Sequence, residues 1–198
     1  MVSPMPISKV CVYCSSSTQA HEAYLDAAER LGRILARNSI TIVYGAGGVG
    51  SMGRLAEGAL SEGGTVVGII PRFMQDLEWY HRGISELRLV EDLHERKRAL
   101  IDGADAVVAL PGGSGTLDEL LEAISLKRLG TFLGPIVMVN TRGFFDPCIE
   151  LLERCIGERF MDPRHRAMWQ VVDEPQQVPD ALRTAPQWSA DALGFAAI

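Results

Sequence analysis

Ala104-Asp-Ala-Val-Val-Ala-Leu-Pro-Gly-Gly-Ser-Gly-Thr-Leu-Asp-Glu119 decides the fold. The apolar run Ala106 to Leu110 reads as a buried strand that stops at Pro111. Two glycines, Ser114, Gly115 and Thr116 follow, and an amphipathic helix is predicted from Leu117 to about Gly130. A strand, a glycine turn and a helix N-terminus together expose unpaired backbone N–H groups beside the positive end of the helix dipole. That arrangement is a site for a phosphate. Glu119 is expected in the first helical turn, where an acid suits sugar hydroxyls or the charge of a reacting sugar better than a bare anion.

The same alternation runs outward along the chain. Strands are predicted at Lys9–Cys14, Ile40–Tyr44, Thr65–Ile70, Leu87–Val90, Ile136–Asn140 and Met168–Val172. Helices are expected after Ser15–Thr18 to Asn38, from the second glycine loop to Glu62, over Leu93–Asp102, over Phe144–Ile156 and over Gln176–Arg183. Pro71–Gly83 reads as a loop or irregular helix carrying Phe73, Trp79 and Tyr80. Apolar strands alternating with helices give an α/β fold: one doubly wound, mostly parallel sheet with helices on both faces, Rossmann-like. All 198 residues are assigned to a single nucleotide-binding domain, with the core at about 8–183 and a loose tail beyond Pro186. Ligands of such sheets sit beyond the C-terminal strand ends. Ser15–Thr18, Gly45–Gly53 and Pro111–Thr116 belong there.

Composition narrows the partners. A net charge of −6 argues against a nucleic-acid backbone or an anionic membrane surface. The N-terminus lacks a basic region followed by a long apolar run, and no stretch approaches the ~20 apolar residues of a membrane span. A soluble, cytoplasmic protein is expected. Cys11 and Cys14 form a C-x-x-C without a second pair, and reduced, mostly buried thiols are the simpler reading. The histidines His21, His81, His94 and His165 show no ligand spacing, so no metal and no cofactor are expected.

The other motifs are less decisive alone. Gly45-Ala-Gly-Gly-Val-Gly50 matches G-x-G-x-x-G, but the next strand ends Gly68-Ile-Ile-Pro-Arg72 without the acid that a dinucleotide site wants. Tight helix–strand packing and a mononucleotide role stand equal there; a dinucleotide ranks below both, although Arg72 could meet a 2′-phosphate. Pro111–Thr116 is no Walker A, and it suits a single phosphate held by backbone, Ser114 and Thr116. Arg96, Lys97 and Arg98 are consecutive, so they fan over about 200° of helix and cannot share one target. A solvated face is the default for the run, with one residue reaching the phosphate pocket.

Assembled, these residues resemble the LOG family, the cytokinin riboside 5′-monophosphate phosphoribohydrolases, long labelled lysine decarboxylases. The family marker P-G-G-x-G-T-x-x-E is present as Pro111-Gly-Gly-Ser-Gly-Thr-Leu-Asp-Glu119. Its companion M-H-x-R-K appears as Leu93-His-Glu-Arg-Lys97, and the likeness extends over about residues 8 to 183. The resemblance implies hydrolysis of the N-glycosidic bond of a nucleoside 5′-monophosphate, with an N6-prenylated adenine in the cytokinin case. It implies Arg96 and Glu119 as the catalytic pair. Substrate contacts carry over to Glu78, Lys97, Gly112, Gly113, Ser114, Gly115, Thr116 and Ser125, with Ser15 and Gly47 from the other two loops. It implies a homodimer with the site near the subunit interface. Departures are Ala46 and Ser51 in the second glycine loop, Ser15 in the first, and Leu93; they bear on the base pocket and not on the catalytic pair.

The chemistry suits these residues, since breaking a C1′–N bond builds positive charge on the ribose. Glu119 could stabilise that charge, fix the ribose hydroxyls or activate water, and Arg96, always protonated, positions phosphate or ribose. As a helix-terminus stabiliser alone, Glu119 contributes only ~0.3–1 kcal/mol. A pyridoxal-dependent decarboxylase needs a Schiff-base lysine, and the only lysines are Lys9, Lys97 and Lys127. The rivals are a general AMP or purine nucleotide nucleosidase and a non-catalytic nucleotide or cofactor carrier similar to molybdenum cofactor carriers.

Overall fold

The computed structural model describes residues 7–76 and 79–196. Seven strands form one sheet: β1 (Lys9–Tyr13), β2 (Thr41–Tyr44), β3 (Val66–Pro71), β4 (Glu86–Val90), β5 (Ala106–Ala109), β6 (Ile136–Val139) and β7 (Gln170–Val172). Their order is β4-β3-β2-β1-β5-β6-β7, and every adjacent pair is parallel. The order reverses between β1 and β5, and there the crevice beyond the strand ends opens. Among the described residues the α-helices are α1 (Glu22–Arg37), α2 (Gly50–Ser61), α3 (Arg72–Asp76), α4 (Leu93–Ile101), α5 (Ser114–Arg128), α6 (Asp146–Gly157) and α7 (Val178–Thr184).

Strand alternation splits the core in two. Val10 and Val12 of β1 point to the face that α1, α2 and α7 cover, through Leu31, Leu35, Leu55 and Leu182. Cys11 and Tyr13 point to the other face, against Leu100 of α4, Leu120 and Ile124 of α5 and Leu152 of α6. Being an odd number of residues apart, Cys11 and Cys14 lie on opposite faces, and all four cysteines are free thiols. The C-x-x-C therefore makes no redox pair here. Two glycines let α1 and α2 touch backbone to backbone. A methyl on Gly32 would lie 2.2 Å from the Leu55 carbonyl oxygen, and one on Gly58 2.2 Å from that of Glu29. Among the described residues no helix is long and apolar enough to cross a membrane.

Met168 closes a short helical turn ahead of β7 and α6 starts at Asp146 and not Phe144, and three further differences from expectation bear on the site and its support. The first helix starts at Glu22, capped by His21, whose Nδ1 accepts from the Ala23 amide at 3.1 Å; Ser15–Thr18 stays a loop. The helix after β5 starts three residues early, because Ser114-Gly-Thr116 itself takes the helical turn. Glu119 consequently belongs to the second turn. The stretch beyond Pro186 packs rather than running loose. Trp188 Nε1 donates to the Lys127 carbonyl at 2.7 Å, Arg128 Nε donates to that of Ala196 at 2.9 Å, and the rings of His165, Trp188 and Phe195 cluster. This segment straps the last turn of the helix that begins at the phosphate loop.

Candidate active site

Asp92 sets the phase of α4. Its Oδ1 accepts the Glu95 amide at 2.7 Å, while Glu95 reaches back to the Glu91 amide at 2.7 Å. With the helix so started, its three consecutive cations diverge. Arg96 turns to the sheet, donating from Nε to the Ile69 carbonyl at 3.2 Å and from Nη2 to the Gly45 carbonyl at 3.0 Å. It thereby bridges the C-terminal ends of β2 and β3. Lys97 turns to α5, with Nζ 3.2 Å from both Asp118 Oδ2 and Glu122 Oε2. Arg98 is exposed, as is His94.

The second glycine loop is explained by these neighbours. A methyl on Gly45 would lie 2.1 Å from Arg96 Nη2, so glycine admits the guanidinium. A methyl on Gly47 would meet Met52 Sδ at 2.6 Å, and one on Gly50, at φ +62°, the Ser16 carbonyl carbon at 2.6 Å. Gly47 is buried, bridges to Tyr80 and accepts from the Tyr44 hydroxyl at 3.3 Å. The packing reading of this loop is the one these contacts favour. Ser15 contributes its carbonyl to the Met52 amide at 3.0 Å and its hydroxyl to the Ser17 amide at 3.0 Å.

The third loop is different in kind. Gly112 is needed because Thr116 folds back over it, and a methyl there would lie 2.2 Å from Thr116 Oγ1. Over Gly113 and Gly115 a methyl would meet nothing within 4 Å. Gly113 is the N-cap and supplies no capping side chain, so no cap hydrogen bond occupies the first amides of α5 at the helix's positive end. Ser114 is exposed and Thr116 buried.

Glu119, only 9% exposed, accepts no hydrogen bond among the described residues. Burial pushes its carboxyl up from 4.5 to about 7, and the pull of Arg96 only partly opposes this. Its charge is felt by Cys11 and Tyr13, which face α5 from β1, and by Cys14 just past the strand's end on the other face; burial raises all three, and the Glu119 charge adds to each shift. The alternation of β1 could have revealed Tyr13 here, since it shares a face with Cys11. The carbonyls of Gly45 and Ile69 carry no sequence signal.

Arg96, Glu119, Lys97 and the Gly112–Thr116 loop thus gather at the C-terminal edge. Ser125 does not join them within this chain: it is exposed, its hydroxyl donates to the Leu121 carbonyl at 2.8 Å, and it sits about 120° around α5 from Glu119. Glu78 lies outside the described residues. Among those residues no group of three or more His, Cys, Asp or Glu could hold a metal ion. A groove of about 1090 Å³ lies elsewhere, lined by Ile101, Asp105, Phe132, Pro135 and Trp188 near the N-terminal strand ends.

A parallel sheet with an uncapped helix N-terminus at its reversal point, and a buried carboxyl within the field of an arginine, defines a Rossmann-like α/β fold with a candidate site at its C-terminal edge. The chain belongs to the LOG family: the family model described as "Possible lysine decarboxylase" matches residues 52–182. It is 37% identical, over 91% of both chains, to a protein named cytokinin riboside 5′-monophosphate phosphoribohydrolase of Rhodococcoides fascians. It is also 37% identical to the rice (Oryza sativa subsp. japonica) protein named "Probable cytokinin riboside 5′-monophosphate phosphoribohydrolase LOGL9", over 81% of this chain and 71% of that one. The molybdenum cofactor carrier protein of Chlamydomonas reinhardtii shares the fold, with a TM-score of 0.70, 18% identity and coverage of 91% of this chain and 98% of that one.

Proposed function

We propose that this protein hydrolyses the N-glycosidic bond of an N6-modified adenosine 5′-monophosphate, a cytokinin nucleotide, to the free base and ribose 5-phosphate. The observation that carries the reading is the buried Glu119 carboxyl, which accepts no hydrogen bond among the described residues, one turn along α5 from the helix's uncapped N-terminus and within the field of Arg96. The amides and Ser114 hold the 5′-phosphate, which brings the ribose over Glu119. As the C1′–N bond lengthens, the ribose gains positive charge that the Glu119 carboxylate opposes. A carboxyl near 7 is also poised to take a proton from the water that bonds to C1′. The released base accepts a proton, which balances the step. Arg96, fixed between two strand ends, steadies charge and cannot serve as the base.

Decarboxylation lacks a suitable lysine. Lys97 is bound by two carboxylates, and Lys127, lowered by burial to about 8, donates to the Gly134 carbonyl at 2.6 Å at the far end of α5 from the phosphate loop.

The test is free-base release from AMP and from N6-isopentenyl-AMP. Release favouring the prenylated nucleotide supports the proposal, and equal release points to a general AMP nucleosidase. Binding without release from either points to a carrier and overturns the enzyme.

We further infer a homodimer. Leu121 of α5 and Leu129 at its C-cap, four residues to either side of Ser125 and so on its helix face, are exposed. From that face Ser125 reaches a site only across a subunit boundary. Sedimentation equilibrium at micromolar concentration is expected to give twice the chain mass; a monomer would remove Ser125 from the site. A cytoplasmic place of action fits the four free thiols.

A further inference from the structure

His165, in the short helical turn Pro163–Met168, has none of its surface exposed. Its Nδ1 accepts the Asp162 amide at 3.0 Å, so the neutral ring carries its proton on Nε2. Nε2 is buried too and has no hydrogen-bond partner among the described residues. The ring lies against two aromatic side chains of the strap beyond Pro186, with its centroid 5.5 Å from that of Phe195 and 6.3 Å from that of Trp188. We propose that His165 is an acid-sensitive latch: the neutral ring holds residues 188–196 against the end of α5, and protonation of the ring releases them. The inference goes beyond hydrolysis and does not depend on it.

The pocket has no place for an imidazolium. A second proton would sit on Nδ1, facing the Asp162 amide that Nδ1 now accepts, and Nε2 would bring a charged donor to a site without an acceptor. The surrounding charges oppose it as well. Burial disfavours the charged ring most, and Arg128 of α5 and Arg164 of the same turn add to this, so the ring is held below its ordinary 6.5. Asp162 is the anion that favours the charged ring, but its carboxylate is already committed. Arg164 donates to its Oδ1 from Nε at 2.7 Å and to its Oδ2 from Nη2 at 2.8 Å. On α6, Glu153 is paired with Arg166 of the turn. The strap presents its two rings, and the Arg164 guanidinium lies 3.7 Å from the Phe195 centroid.

The unfolded chain's ring takes its proton at the ordinary 6.5, and the folded chain's ring takes it only at lower pH. Stability from the closed latch is therefore complete above 6.5 and is lost as pH falls below it. Glu119 titrates near 7, but in the second turn of α5, far along the helix from the latch. Opening uncovers Lys127, whose Nζ lies 5.9 Å from the Trp188 centroid, and removes the Trp188 wall of the groove at the N-terminal strand ends.

The experiment follows two NMR signals of the full chain from about pH 7.5 to about pH 5. One is the His165 ring, assigned by its loss in His165→Asn, and the other is the Trp188 indole, assigned by its loss in Trp188→Phe. The indole Nε1 donates to the Lys127 carbonyl at 2.7 Å, so its proton is shielded from solvent exchange while the latch is shut. Its protection, relative to a free indole at the same pH, is expected to fall about tenfold or more with the midpoint at which His165 titrates. Asparagine keeps an acceptor for the Asp162 amide and does not ionise, so in His165→Asn the protection is expected to be equal at both ends of the range. Midpoints that do not coincide, an indole still protected at about pH 5, or an acid release unchanged in His165→Asn would each overturn the latch. If His165→Asn fails to fold or leaves the strap open throughout, the two wild-type midpoints decide: coincidence supports the latch and separation overturns it.

Discussion

Replacing Glu119 by glutamine is expected to lower base release about 10³-fold or more while making the folded protein more stable above pH 7. The two effects have one cause. The carboxyl is buried and accepts no hydrogen bond among the described residues, and its proton is held until about pH 7 against 4.5 for an ordinary glutamate. Between those values the folded chain binds a proton that the unfolded chain has lost. Stability conferred by the protonated form is complete below 4.5 and declines as pH rises to 7, by up to about 3 kcal/mol. Glutamine has nearly the same shape and never ionises, so it escapes that decline. Urea unfolding at pH 4 is expected to find the two proteins alike, and at pH 8 the variant more stable by about 2–3 kcal/mol. A glutamate that only steadied the helix N-terminus would give the opposite sign at pH 8, a small loss of ~0.3–1 kcal/mol. Equal stability at pH 8 would show that the carboxylate is not desolvated, and the strain behind its reactivity would be gone.

The sheet was legible because burial on both faces leaves an unmistakable pattern. Val10–Val12, Ile42–Tyr44 and Val107–Ala109 are apolar throughout, as strands covered on two sides must be. The divergence of Arg96, Lys97 and Arg98 was legible for a related reason, because helical periodicity forbids a common target. What stayed hidden depends on contacts between distant segments. The packing of the tail beyond Pro186 is not visible in the sequence, because Trp188 and Phe195 find His165 and the end of α5 only once the chain has folded. The early start of α5 was hidden by its glycines, which are poor helix formers yet suit a first turn whose amides must stay open to a ligand. For the second glycine loop the sequence leaves tight packing and a mononucleotide role equal, with a dinucleotide below both. Its glycines make room for an arginine, a methionine and a neighbouring loop, and only the folded geometry distinguishes that use from room for a pyrophosphate.

Arg96 is where fold and chemistry are hardest to separate, and its replacement is the second large effect expected. Arg96→Met removes the donor to the Gly45 and Ile69 carbonyls and the nearest opposing charge to Glu119. Losing two charge-assisted hydrogen bonds at a half-buried site costs about 1–3 kcal/mol in unfolding experiments. Base release is expected to fall about 10²–10³-fold, with its acid limb displaced upward because Glu119 loses the cation that favours its ionised form. Arg96→Lys tests whether charge suffices. A single ammonium cannot span two carbonyls that a planar guanidinium bridges, so the acid limb is expected to return while most of the rate does not. Gly45→Ala isolates geometry from charge, since its methyl would lie 2.1 Å from Nη2 and evict the guanidinium with the arginine still present. Its rate is expected to track that of Arg96→Met. Full activity in Arg96→Lys would reduce the residue to a point charge, and full activity in Gly45→Ala would mean that the bridge between β2 and β3 plays no part in placing it.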